Sequence, residues 1–205
     1  MTSQGSRRCT AFEGTRKVAS GELVEVALRV KEVVDRGEIG PILVFDDQTS
    51  EQVELDLRGT AEEVAARVAP VEEARARRER GPGRPKLGVV AREVTLLPRH
   101  WEWLNEQPGG ASVALRKLVE EARKTRRGAD RLRGAQESTY RFLSAMAGNL
   151  PGFEESARAL FAIDETRFED CARDWPEDVR QHALHLMHSV LEASRDQLAE
   201  QHAAS

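Results

Sequence analysis

Arginine and lysine crowd the middle of this 205-residue chain, and binding a polyanion is the chemistry such a cluster could do. Residues 71–134 hold 16 basic and 9 acidic side chains; residues 1–70 hold 9 and 13, and residues 135–205 hold 6 and 13. A basic centre between acidic ends, in a chain of net charge −4, suits a phosphate-binding segment kept in solution by its flanks. Salt bridges along helix faces, such as Glu120 and Glu121 with Lys124, are the competing use of the same charges.

Other constellations are weaker. His182, His185 and His188 lie three apart, and a step of three turns a helix by about 300°. Two of them could share a metal, but no thiol or carboxylate stands at matching spacing. Asp46, Asp47, Glu51, Glu54 and Asp56 lack the glycine-centred order of a calcium loop and read as a solvated turn. Trp101, Trp103 and Trp175 are expected in packing rather than on bases. Cys9 and Cys171 have no metal-type spacing and read as free thiols of a reducing cytoplasm. No nucleophile elbow, phosphate loop or dinucleotide fingerprint is present, so the expectation is a non-enzyme without metal or cofactor, and no small-molecule ligand is identifiable. No apolar run reaches the roughly 20 residues of a membrane helix. The amino-terminal MTSQGSRRCT lacks the apolar core of a secretory signal. The reading is a cytoplasmic protein.

The elements that would position the basic residues follow from patterning. Residues 1–70 read as a small α+β domain. Thr10–Phe12 and Lys17–Ala19 are short strands about a turn at Glu13–Gly14, and Ser20 caps a helix ended by Gly37. Residues 41–45 form an apolar strand, paired as a hairpin with the alternating Val53, Leu55 and Leu57. Thr60 and Glu63 make a capping box for a helix to about residue 69. Residues 71–88 are a charged, Gly/Pro-rich linker. Residues 89–127 read as a strand (89–97), a helix opened by Pro98, the Pro108-Gly-Gly110 turn, and a helix capped by Ser112. A helical domain fills 128–198: Asp130 to Met146, a break at 148–152, Phe153–Ile163, a helix begun by Asp164, and a last one begun by 174–178. A frayed tail covers 199–205.

Val94-Thr-Leu-Leu-Pro98, Leu104 and Gly110-Ala-Ser-Val-Ala-Leu-Arg-Lys-Leu-Val119 together resemble the ribbon–helix–helix family of bacterial DNA-binding proteins. The resemblance implies a homodimer whose paired strands enter the major groove. It also implies a helix amino terminus at the glycine turn held against a phosphate. Two registers are open. With Val90, Val94 and Leu96 inward, Thr95 faces DNA and Arg92 the core; in the other register Arg92 faces DNA and Glu93 the core. Arg80-Gly-Pro-Gly-Arg84-Pro85-Lys86 contains the Gly-Arg-Pro core of an AT-hook, which implies an arm in a narrow A·T minor groove; a charged linker is the plainer use of those residues. Over most of its length the chain resembles a bacterial family known only as domain of unknown function 2239. The residues that carry this are 83–88, 92–101, 107–112, 146–153 and Trp175-Pro176. That family supplies no activity.

The expectation is therefore an α+β protein: a small N-terminal β/α domain, a central ribbon–helix–helix-like unit and a C-terminal helical region. It is expected to bind DNA as a homodimer, in the manner of a transcriptional regulator. Arg84 and Lys86 would meet the minor groove or phosphates, Arg92 and Thr95 base edges, and Arg99, Arg116, Lys117, Lys124, Arg126 and Arg127 phosphates. The alternative is an interaction module whose basic face docks an acidic protein.

Overall fold

A computed structural model describes residues 7–37, 40–69 and 92–203. The mixed α+β character holds: a three-stranded antiparallel sheet comes first and mostly helices follow. β1 (Arg8–Glu13) turns back into β2 (Arg16–Glu22), as the turn residues require. α1 (Leu23–Asp35) follows directly. β3 (Ile42–Asp46) then lies along the free edge of β1, giving the order β2-β1-β3. Ser20 is not a helix cap: it sits in β2, where its hydroxyl is hydrogen-bonded with that of Thr10 at 3.0 Å, and α1 begins after Glu22.

Residues 53–57 form no strand. β3 and the next segment share a single bridge, Phe45 to Gln52, made of bonds from Val53 N–H to the Val44 carbonyl at 2.8 Å and from Asp46 N–H to the Glu51 carbonyl at 3.0 Å. Beyond that point the Arg67 guanidinium takes the carbonyls of Asp56 and Arg58, so they are not free for a ladder. The alternation survives as burial, with Val53, Leu55 and Leu57 half-buried against the core on α1's side of the sheet. Residues 61–69 are helical (α2), closed by the expected capping box. Thr60 N–H donates to Glu63 Oε2 at 2.8 Å, and Glu63 N–H to Thr60 Oγ1 at 3.3 Å.

The helical part comprises α3 (Pro98–Glu106), α4 (Gly110–Met146), α5 (Phe153–Ala162), α6 (Glu165–Ala172) and α7 (Glu177–Ala203). Asp164 caps α6 by accepting from Arg167 N–H at 3.0 Å. The largest departure is α4. It runs unbroken for 37 residues, so the division drawn at 127/128 falls inside one helix. Gly128 is where α7 packs onto it: a Cβ there would lie 2.8 Å from the Gln197 Cα, so only glycine lets α7 come this close. α4 begins at Gly110 after Gly109 (φ 89°), not at Ser112. α7 stays helical to Ala203 rather than fraying from 199, with Arg131 of α4 bridging Asp196 and Glu200.

The sheet is the middle layer. Cys9 and Ala11 face α1 and pack with Leu23, Val26, Val30 and Val44. Phe12 and Phe45 belong to the cluster that also contains Phe142, Val179 and Met187, so sheet and carboxy-terminal helices share one core. Phe142 is its hub, with ring centroids 5.6 Å from Phe12, 5.3 Å from Phe45 and 4.5 Å from His182. Polar ties cross the same seam: Ser50 and Ser138 share a buried hydroxyl bond of 2.9 Å, and Lys17 N–H donates to Asp178 Oδ2 at 2.8 Å.

Candidate nucleic-acid interface

α3 and α4 fold back on each other through the glycine turn, with Leu104 and Ala114 buried between them. Pro98 opens α3 with the preceding Leu97 extended at φ −66°, ψ 149°. This pair of helices is an arm. Residues 116–127 of α4 are exposed around the whole helix, and burial resumes only at Gly128, where α7 arrives.

The expected contact residues divide into three sets. Arg84 and Lys86 lie outside the described residues, as do 89–91 of the expected strand. Arg92, Thr95 and Arg99 are exposed. Residues 92–97, expected as a strand, form none. A strand needs a partner for its amide and carbonyl groups, and among the described residues no neighbouring backbone offers one. Neither register is realised within the chain: Arg92 and Glu93 are both exposed, Val94 is 52% exposed, and only Leu96 is half-buried. Arg116, Lys117, Lys124, Arg126 and Arg127 come together along three turns of the exposed part of α4.

Their partners differ. The Arg116 guanidinium donates to the Ser112 carbonyl at 3.1 Å. Lys124, Arg126 and Arg127 make no ion pair among the described residues. Sequence reasoning passed over Arg123, which bonds Glu120 at 3.3 Å. Its signal was spacing: Arg116, Arg123 and Arg127 recur at i, i+7 and i+11, one face of a helix. The glycine turn holds Gly109 and Gly110 at φ 89° and 74°, and the amino terminus of α4 has no side-chain cap.

The histidines differ in setting, and the acidic turn is tied by local bonds. His182 packs among Phe12 and Phe142. Burial, joined by the charges of His185 and Lys17, pushes its pKa down to about 4. His188 faces Glu192 at 3.3 Å, and among the described residues no cluster of three metal-ligating side chains occurs. Burial opposes the charge of Asp46. The Arg7 side chain and the amides of Thr49 and Gln48 outweigh it and hold this carboxyl below its ordinary value. Burial raises Asp47, against its bond from the Thr10 hydroxyl. Trp175 is buried and donates to the Pro151 carbonyl at 2.8 Å, whereas Trp103 is 50% exposed on α3. Cys9 is buried, and neither cysteine is in a disulfide. Among the described residues no helix is long and apolar enough to cross a membrane.

No curated protein and no solved structure matches the chain. A family model matches residues 8–187, which span the sheet, the arm and the first part of α7, and the chain belongs to that family, described as an uncharacterized protein conserved in bacteria (DUF2239).

Proposed function

We propose that the protein binds DNA as a homodimer through the basic arm formed by α3 and α4, in the manner of a transcriptional regulator. One observation carries the reading: Lys124, Arg126 and Arg127 are exposed on α4 before Gly128, and they make no ion pair among the described residues. Unpaired cations at that density attract a polyanion and release its counterions on binding. Arg92, Thr95 and Arg99 lie on the segment leading into α3 and would add base-edge and phosphate contacts. Arg84 and Lys86 would supply the minor-groove arm that the Gly-Arg-Pro motif suggests. A second reading, an interaction module docking an acidic protein surface, is favoured by the exposed Val94, Leu97 and Trp103 beside the basic side chains.

Gel-shift titration on A·T-rich and mixed duplexes over a salt series tests the first reading. Replacing Lys124, Arg126 and Arg127 by alanine should flatten the slope of log affinity against log salt by about 2.7, at about 0.9 per lost phosphate contact. Absence of binding at low salt, or an unchanged slope in the triple variant, refutes it.

A further inference from the structure

The exposed part of α4 carries an eight-residue pattern that basic charge alone does not explain: Leu115-Arg116-Lys117-Leu118-Val119-Glu120-Glu121-Ala122. Its apolar positions 115, 118, 119 and 122 recur at i, i+3, i+4 and i+7 and so share one face. Nothing described covers that face fully: Leu118 is 44% and Val119 56% exposed, Ala122 is exposed, and Leu115 is half-buried. Arg116 and Glu120, one turn apart, flank one side of the face, and Lys117 and Glu121 flank the other. Read backwards, the octet keeps its apolar pattern and inverts every charge. Among the described residues Lys117 and Glu121 make no ion pair, and Arg116 bonds only a carbonyl of its own helix.

We propose that this face is the contact between two copies of the chain, packed α4 against α4 in antiparallel fashion about a two-fold axis between Leu118 and Val119. The axis sets Leu118 on Val119 of the partner subunit and Leu115 on Ala122 of the partner subunit. On one flank Arg116 meets Glu120 of the partner subunit, and on the other Lys117 meets Glu121 of the partner subunit. Symmetry doubles both pairs. A parallel, in-register pair would instead bring Arg116 level with Lys117 of the partner subunit and Glu120 level with Glu121 of the partner subunit, like charge beside like. An acidic protein or a nucleic acid on this face would be repelled by Glu120 and Glu121, whereas the pattern complements itself in full. The assignment takes Arg116 and Lys117 out of the phosphate-contacting set and leaves Lys124, Arg126 and Arg127 to it. It shares with the DNA reading only the expectation of two copies.

Sedimentation equilibrium on the full chain, without nucleic acid, is the test. The wild type should be dimeric in the micromolar range. Arg116→Glu with Lys117→Glu makes the octet wholly acidic, and Glu120→Lys with Glu121→Lys makes it wholly basic. Each double variant should raise the dissociation constant roughly tenfold or more, because four attractive contacts become repulsive. Mixed in equal amounts, the two should form a heterodimer at least as tight as the wild-type dimer. That recovery cannot come from a misfolded chain. Val119→Asp, at a position the single chain does not bury, provides a third disruption if a double variant does not fold. A wild type monomeric throughout the micromolar range overturns the proposal, and so do double variants that dimerise like wild type or a mixture that stays monomeric. Loss of DNA binding by a chain that still dimerises would count against the DNA reading alone.

Discussion

The core histidine gives the most direct test of the packing between sheet and helices. His182 is held neutral among Phe12 and Phe142, with Lys17 and His185 both disfavouring a second positive charge, and its pKa falls to about 4. An unfolded histidine titrates near 6.5. Because the folded value is the lower one, the contribution to stability is complete above pH 6.5. It is lost as pH falls towards 4, where the folded form also protonates. Linkage over that interval amounts to about 3 kcal/mol in all, of which about 2 kcal/mol is lost between pH 7 and pH 5. The half-buried carboxylates also respond to acid, so the measurement must be a difference. Denaturant unfolding at pH 7 and pH 5 on wild type and His182→Gln isolates the histidine. The wild type should lose about 2 kcal/mol more than the variant over that range. Equal losses in the two proteins would refute the assignment of His182 as a neutral core residue.

Phe142→Ala should destabilise by about 3–5 kcal/mol in equilibrium unfolding, since it removes the ring on which both layers meet. Gly128→Leu would force a side chain into the α7 backbone. It should cost about 1–3 kcal/mol and speed amide exchange in α7 near Gln197. Thr60→Ala deletes one half of the capping box and should cost about 1 kcal/mol in thermal or denaturant unfolding, with Thr60→Ser largely restoring it.

Local chemistry was readable from the chain and distant pairing was not. The Thr60–Glu63 box, the Asp164 cap, the turn between β1 and β2 and the break at 148–152 are each decided by residues within one or two turns of each other. How far a segment pairs along β3 depends on residues remote from it. The apolar alternation at 53–57 advertised a strand, but pairing on β3's second edge stops after the Phe45–Gln52 bridge, and Arg67 takes the carbonyls of Asp56 and Arg58. The continuity of α4 was hidden because the apolar face of Leu115, Leu118, Val119 and Ala122 stops there, and residues 123–131 carry no apolar stripe to link it to Leu132. Gly128 gains its reason only once α7 is in place. Of the expected contact residues, those on α4 gather as helical spacing required. The strand at 92–97 failed because propensity describes a segment's fitness for a sheet, not the presence of a neighbour to pair with.

The unbroken course of α4 has a consequence for how the protein can change. Its 37 residues amount to about 55 Å of helix, anchored by α7 beyond Gly128 and free before it. The compass bearing of every arm side chain relative to the body is therefore set by a count of residues. A substitution on the free faces leaves that bearing alone. A single insertion between Arg127 and Leu132 would swing the whole arm by about 100° and aim Lys124, Arg126 and Arg127 at different quarters of space. This helix tolerates new letters far better than a change of phase.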